Sequence, residues 1–213
     1  MKYCISILLL FCASFGFGQA SKYLAAIPKY NEASAFEDIR YRDLDWAKFY
    51  KLEEANDMLD PMNYDFDLMN AAVFFAVNKY RATKHVEALT FEPRLRDAAS
   101  IHSSQMVRGN FFDHANRADA AIGMPNVRIE LCGYHGERLS ENLAHSFIDL
   151  SKPMTYLQVA DMVVKQLSQS PEHNIHMIDP TLDKLGCGLL FENKLTNGYL
   201  YFKLTQDFGR DWR

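Results

Sequence analysis

Apolar residues recur at helical spacing in three stretches, and the period then changes. Leu68, Ala71, Ala72, Phe75 and Tyr80 keep helical spacing, which predicts a helix opening at Asp67 as N-cap and running to about Arg81. Pro93 opens a second helix at the first-turn position where proline is tolerated. Its apolar face is Leu95, Ala98, Ala99, His102 and Met106, and Gly109 is its stop. A third runs from about Thr155 to Ser168 with Leu157, Ala160, Val163, Val164 and Leu167 inward. Beyond it, residues 185–191 and 199–205 read as strands, and Asn197-Gly198 between them is a hairpin signal. Helices first and a hairpin last predict an α+β layered fold.

Residues 20–66 are rich in charge and aromatic rings. Trp46, Phe49, Tyr50 and Leu52 are too apolar for a disordered tail. One short helix near 43–58, closed by Asp60-Pro61 and docked on the main domain, is expected there. The segment from Ala115 to Tyr134 reads as a long loop. At the front, Lys2, the apolar run Cys4–Phe15 and the small residues Gly16, Gly18 and Ala20 have the form of a secretory signal peptide cleaved after Gly18 or Ala20. The run is shorter than the about 20 residues of a membrane span, and no second apolar run of spanning length follows. The expected organisation is a signal peptide at 1–18, a partly helical extension at 19–65 and a main domain at 66–213. The mature protein is expected to be secreted or periplasmic.

The formal net charge is −4 at pH 7, which gives no basic patch for nucleic acid and no attraction to an anionic membrane. Of four cysteines, two lie in the signal peptide and Cys132 and Cys187 remain. An exported chain permits one disulfide between them, worth about 4 kcal/mol in the chain-entropy model. The alternative is two buried free thiols.

The candidate chemistry lies in three short segments, Asn110–His114, Ser140–Ala144 and Ser170–Asn174. Each presents one proton-transferring or metal-competent side chain: His114, Glu141 and His173. Two imidazoles and a carboxylate can bind zinc and leave a position for water. They can equally form a hydrogen-bonded polar cluster without metal. His176, three residues past His173, is a further candidate, whereas His102 on an apolar helix face reads as a core histidine. Phe111, Phe112, Phe147 and Tyr156 could line a ligand groove, but the expectation is core. No nucleophile elbow, no His-Glu-x-x-His motif and no glycine-rich phosphate loop occurs.

Taken in order, Asn78–Arg81, Leu89–Leu95, His102-Ser103, Phe111–His114, Glu141–Ala144, Ser170–His173, Leu185–Gly188 and Thr205–Gly209 resemble the CAP superfamily (cysteine-rich secretory proteins, antigen 5 and pathogenesis-related proteins), its bacterial branch in particular. The resemblance covers about residues 66–210. It implies a three-layer α-β-α sandwich with a small antiparallel sheet, and a cleft of two histidines and two acidic residues that can hold a divalent metal such as zinc. His114, Glu141 and His173 match three corners of that cleft. Ser140 and Glu172 replace glycines of the family pattern. The helix before His173 offers Lys165, Gln166, Ser168 and Gln169 where a second carboxylate would stand. The function implied is binding of an extracellular ligand (lipid, peptide or envelope component). A metal-dependent or acid–base hydrolase, and an interaction protein acting through residues 19–65, are the alternatives.

Overall fold

The computed structural model describes residues 20–27, 30, 32–34 and 36–212. The expected signal peptide lies outside the described residues. Between residues 40 and 56 the extension forms three single-turn helices, α1 (Arg40–Asp43), α2 (Trp46–Phe49) and α3 (Glu53–Asn56), where one helix near 43–58 was expected; residues 20–24 are helical too. Asp45 breaks the run, because its side chain accepts from the Lys48 amide as an N-cap. Helix α4 (Phe66–Thr83) starts one residue before the expected cap. Asp65 takes that role by accepting from Leu68 N at 3.0 Å.

Strand β1 (Thr90–Phe91), helix α5 (Pro93–Gly109), a 3-10 turn (Ala120–Ile122), helix α6 (Pro125–Leu131), strand β2 (Arg138–Asp149), helices α7 (Tyr156–Ser168) and α8 (Pro171–Met177), and strands β3 (Lys184–Thr196) and β4 (Tyr199–Arg210) follow. Thr155 and Gln158 form a reciprocal capping box at the start of α7. Asn197 and Gly198 both take positive φ, 53° and 83°, as a tight hairpin turn requires.

The sheet order is β1-β3-β4-β2. β2, β4 and β3 are antiparallel, while β1 joins β3 in parallel, so the sheet is mixed and not wholly antiparallel. Helix α5 covers one face. It comes close because Gly186 and Gly188 have no side chain: a Cβ at Gly188 would sit 2.4 Å from Ser100 N, and one at Gly186 1.9 Å from Arg96 N. Ser103 Oγ donates to the Gly188 carbonyl at 2.7 Å and meets Thr205 Oγ1 at 2.8 Å. Helices α4, α7 and α8 lie on the other face, where Asn70 Oδ1 accepts from Leu189 N at 2.8 Å. Two helical layers thus enclose a four-stranded sheet, the expected α-β-α sandwich.

The extension is welded to this body. Tyr41 stacks on Phe91 with centroids 3.7 Å apart, and Phe49 stacks on Phe75 at 4.3 Å. Arg96 of α5 holds Asp38 at 2.6 Å. Phe36, Phe49, Ala55 and Leu59 belong to the same buried cluster as the domain core.

Candidate functional site

Strand β2 is an edge strand, and the site is built around it. By register, Glu141 lies opposite Asp207, and both point to the face covered by α5. Asn110 ends α5 in the left-handed conformation (φ 49°), one residue past the expected glycine stop, and turns the chain toward His114. His114 Nδ1 lies 2.7 Å from Glu141 Oε1. The second carboxylate oxygen, Oε2, accepts from Arg128 Nη2 at 2.7 Å.

Arg128 was not among the expected site residues. It belongs to α6, inside the stretch expected to be a loop. Pro125 at the first turn and the buried Ile129 make a short helix of it. The Arg128 side chain is 0% exposed and that of Glu141 3%. The Arg128 Nη1 also donates to the carbonyls of Ile122 at 3.3 Å and Gly123 at 3.2 Å, and Nη2 to that of His114 itself at 3.1 Å, while Nε has no partner among the described residues. One guanidinium therefore neutralises Glu141 and fixes the backbone of its partner histidine. An arginine three residues after a Met-Pro helix start, beside apolar neighbours, is the sequence signal that could have found it.

Burial drives the Glu141 carboxyl up, but the His114 hydrogen bond and the Arg128 charge outweigh it and hold the pKa below the ordinary value. Asp207 behaves oppositely. It is fully buried and neither oxygen has a hydrogen-bond partner. Burial first, then the charge of Glu141, push its carboxyl far above the usual range, so it is held neutral. The hydrogen bond to Glu141 raises the His114 pKa, against the effect of partial burial. His102 is buried and its Nε2 donates to the Asp113 carbonyl, 3.0 Å away. Burial lowers its pKa to about 4, so it is the neutral core histidine expected.

His173 comes from the opposite side of β2. It lies in α8, a short helix opened by Pro171, and Asn142 Nδ2 donates to its carbonyl at 3.0 Å. Burial, then the charge of His114, lowers its pKa. His176 is lowered by burial, then by Arg138. His114, Glu141 and His173 are thus brought to one end of the edge strand. Glu172 is exposed. With Nδ1 of His114 on Glu141, its Nε2 is the nitrogen left for a ligand.

The imidazoles of His114 and His173 are near enough for the charge of one to lower the pKa of the other. Among the described residues no group of three or more His, Cys, Asp or Glu side chains is arranged to hold a metal ion. Glu141 has both oxygens engaged and stands behind His114 as an orienting carboxylate.

Two further expectations are corrected. Cys132 and Cys187 are buried free thiols, not a bridge. Cys132 follows α6, while Cys187 lies in β3, one residue out of phase with the glycines that face α5. Tyr156 is core, but Phe112 and Phe147 are 49% and 46% exposed. Phe112 meets the His145 ring, and Phe147 those of Tyr199 and Tyr201.

The profile of the cysteine-rich secretory protein family, CAP, matches residues 74–208, more than half of the chain. The chain belongs to the CAP family. No curated protein matches it. Among solved structures, it resembles an extracellular protein containing an SCP domain from Bacillus anthracis (TM-score 0.53, 20% identity, 72% of this chain and 44% of that one). It also resembles an outer surface protein from Borrelia burgdorferi (TM-score 0.53, 18% identity, 74% of this chain and 99% of that one). The chain spans less than half the length of the Bacillus protein. These likenesses show the fold, the CAP sandwich with its bacterial relatives. Among the described residues no helix is long and apolar enough to cross a membrane.

Proposed function

We propose that this is an exported CAP-domain protein whose cleft binds an extracellular ligand through the imidazoles of His114 and His173. A divalent cation such as zinc is a component those two nitrogens could recruit. The observation that carries the reading is the buried Arg128–Glu141 pair, which holds the half-exposed imidazole of His114 by Nδ1 and leaves its other nitrogen for a ligand. A carboxylate behind an imidazole fixes its tautomer and raises its basicity. The secretory form of residues 1–18 and the extracellular and surface character of the two relatives support export.

Titration calorimetry with ZnCl2 at pH 7.5 tests the cation arm. Wild type should bind, and His114→Ala and His173→Ala should each weaken binding by at least about tenfold, about 1.4 kcal/mol. For the ligand arm, histidine-ring NMR of wild type with a soluble envelope extract should shift His114 and His173. No response of either ring to either addition would retire the reading.

Acid–base hydrolysis is the second reading, favoured by the same Glu141–His114 pair, in which the carboxylate orients a general base. Glu141→Gln should then abolish hydrolysis of a responsive ester or peptide substrate while the fold survives. Unchanged turnover in that variant would exclude it.

A further inference from the structure

The extension creates a cavity that shares no residue with the His114 cleft. It measures about 730 Å³, within the usual range for small-molecule sites, and lies between residues 38–46 of the extension and α4, β1 and the start of α5. Its walls are aromatic: Tyr41 and Phe91, stacked at 5° to one another, with Trp46 and Phe74 beside them. Such walls favour a ligand with rings, which gains stacking beyond simple burial.

The charges at its mouth decide the sign of the ligand. Asp38 is held at 2.6 Å by Arg96, which also pairs with Asp97 at 3.0 Å and Asp67 at 3.9 Å, Glu92 by Arg94 at 2.6 Å, and Asp211 by Lys184 at 3.2 Å. Asp45 is engaged as the cap of α2. Arg42 is exposed, and its side chain has no ion pair or hydrogen bond among the described residues. Its five donors are therefore free at the rim of an apolar chamber.

We infer that this cavity is a binding site for a small amphipathic anion with a ring-bearing apolar body. The rings lie against Trp46 and the Tyr41–Phe91 stack, and the negative group meets Arg42. The family profile starts at residue 74, so the wall made by residues 38–46 lies outside it. The extension on this account is a wall of a binding site and not only a clasp.

The probe is 8-anilinonaphthalene-1-sulfonate, an aromatic sulfonate, added to the folded mature protein. Trp46 is one of two tryptophans, and the other, Trp212, is 72% exposed. Saturable one-to-one binding is expected, with energy transfer from tryptophan that Trp46→Phe removes. Arg42→Glu, an exposed change that leaves thermal stability intact, should weaken binding by at least about tenfold. The uncharged N-phenyl-1-naphthylamine should bind more weakly and ignore Arg42→Glu, and His114→Ala should change nothing. The inference is overturned if binding does not saturate, if Arg42→Glu binds the sulfonate as wild type does, if the uncharged probe binds as tightly, or if His114→Ala abolishes binding. The last outcome would place the probe in the cleft. Failure of this site leaves the reading of the cleft untouched.

Discussion

Replacing Arg128 by Met keeps most of the side-chain stem and removes the one fully buried charge that faces Glu141. The guanidinium is fully buried, its Nη2 is 2.7 Å from Glu141 Oε2, and three carbonyls, of Ile122, Gly123 and His114, also accept from it. Breaking a buried pair by removing one partner costs about 3–5 kcal/mol, because a charge is left uncompensated. For a chain of this length that lowers the melting midpoint by roughly 10 °C. The cost has an internal control. With Arg128 gone, Glu141 confronts a neutral Asp207 in a dry site and its own pKa must rise. Protonation then relieves the penalty, so the loss should shrink as pH falls from 7.5 to 5. Urea unfolding of wild type, Arg128→Met, Glu141→Gln and the double variant at both pH values gives the coupling between the two residues. The double variant should be more stable than the sum of the single losses predicts. A loss below about 1 kcal/mol in Arg128→Met, or a loss of the same size at both pH values, would refute the argument.

His114 has its pKa raised by Glu141, so its stabilising contribution is complete below the unfolded value of about 6.5 and fades as pH rises through the folded value. Ring NMR should place the His114 midpoint above that of a free histidine, and Glu141→Gln should bring it down; an unchanged midpoint contradicts the pairing. Asp67 is the reverse case, since burial and the carboxylates around Arg96 raise its pKa to about 6. Its ionised form opposes folding above that pH, and protonation favours the fold as pH falls from about 6 toward 4. Asp67→Asn should therefore raise the melting midpoint at pH 7.5 and lose that advantage at pH 4. Burial raises the pKa of both Cys132 and Cys187. Peptide mapping after alkylation should show neither modified in the native protein and both modified in urea without reductant; protection in urea would restore the disulfide. Gly188→Ala places a Cβ 2.4 Å from Ser100 N. Denaturant titration should show a loss of at least about 2 kcal/mol as α5 lifts from the sheet.

The long helices and the terminal hairpin were legible in the sequence because each carries an uninterrupted period or a strong turn signal: α4, α5, α7, and Asn197-Gly198 between β3 and β4. Strand β2 was not. Its register is fixed by pairing with β4, sixty residues on, and its alternation is broken by the buried polar residues Glu141 and Asn142. Those residues violate the strand pattern because they build the site. His114, Glu141 and His173 could be named from the family motifs. The partners that give them their chemistry could not, because Arg128 sits in a stretch with loop-like composition and Asp207 gains its meaning only from the residue opposite. The expected helix in the extension is broken twice, at Asp45, whose carboxylate caps α2 and competes with helical continuation, and at Leu52, which is extended before α3. The exposed Phe112 and Phe147 defied a core expectation because α5 ends before it reaches them.

The central claim is that Glu141 holds His114 with Nε2 turned outward as a ligand-binding nitrogen. Two-bond proton–nitrogen NMR of the histidine rings reads this without knowledge of the ligand. At pH 8 the claim predicts His114 as the Nδ1–H tautomer with Nε2 unprotonated, and a ZnCl2 titration that moves the Nε2 resonances of His114 and His173 together. An Nε2–H tautomer at His114, or a titration in which neither ring responds, would contradict it.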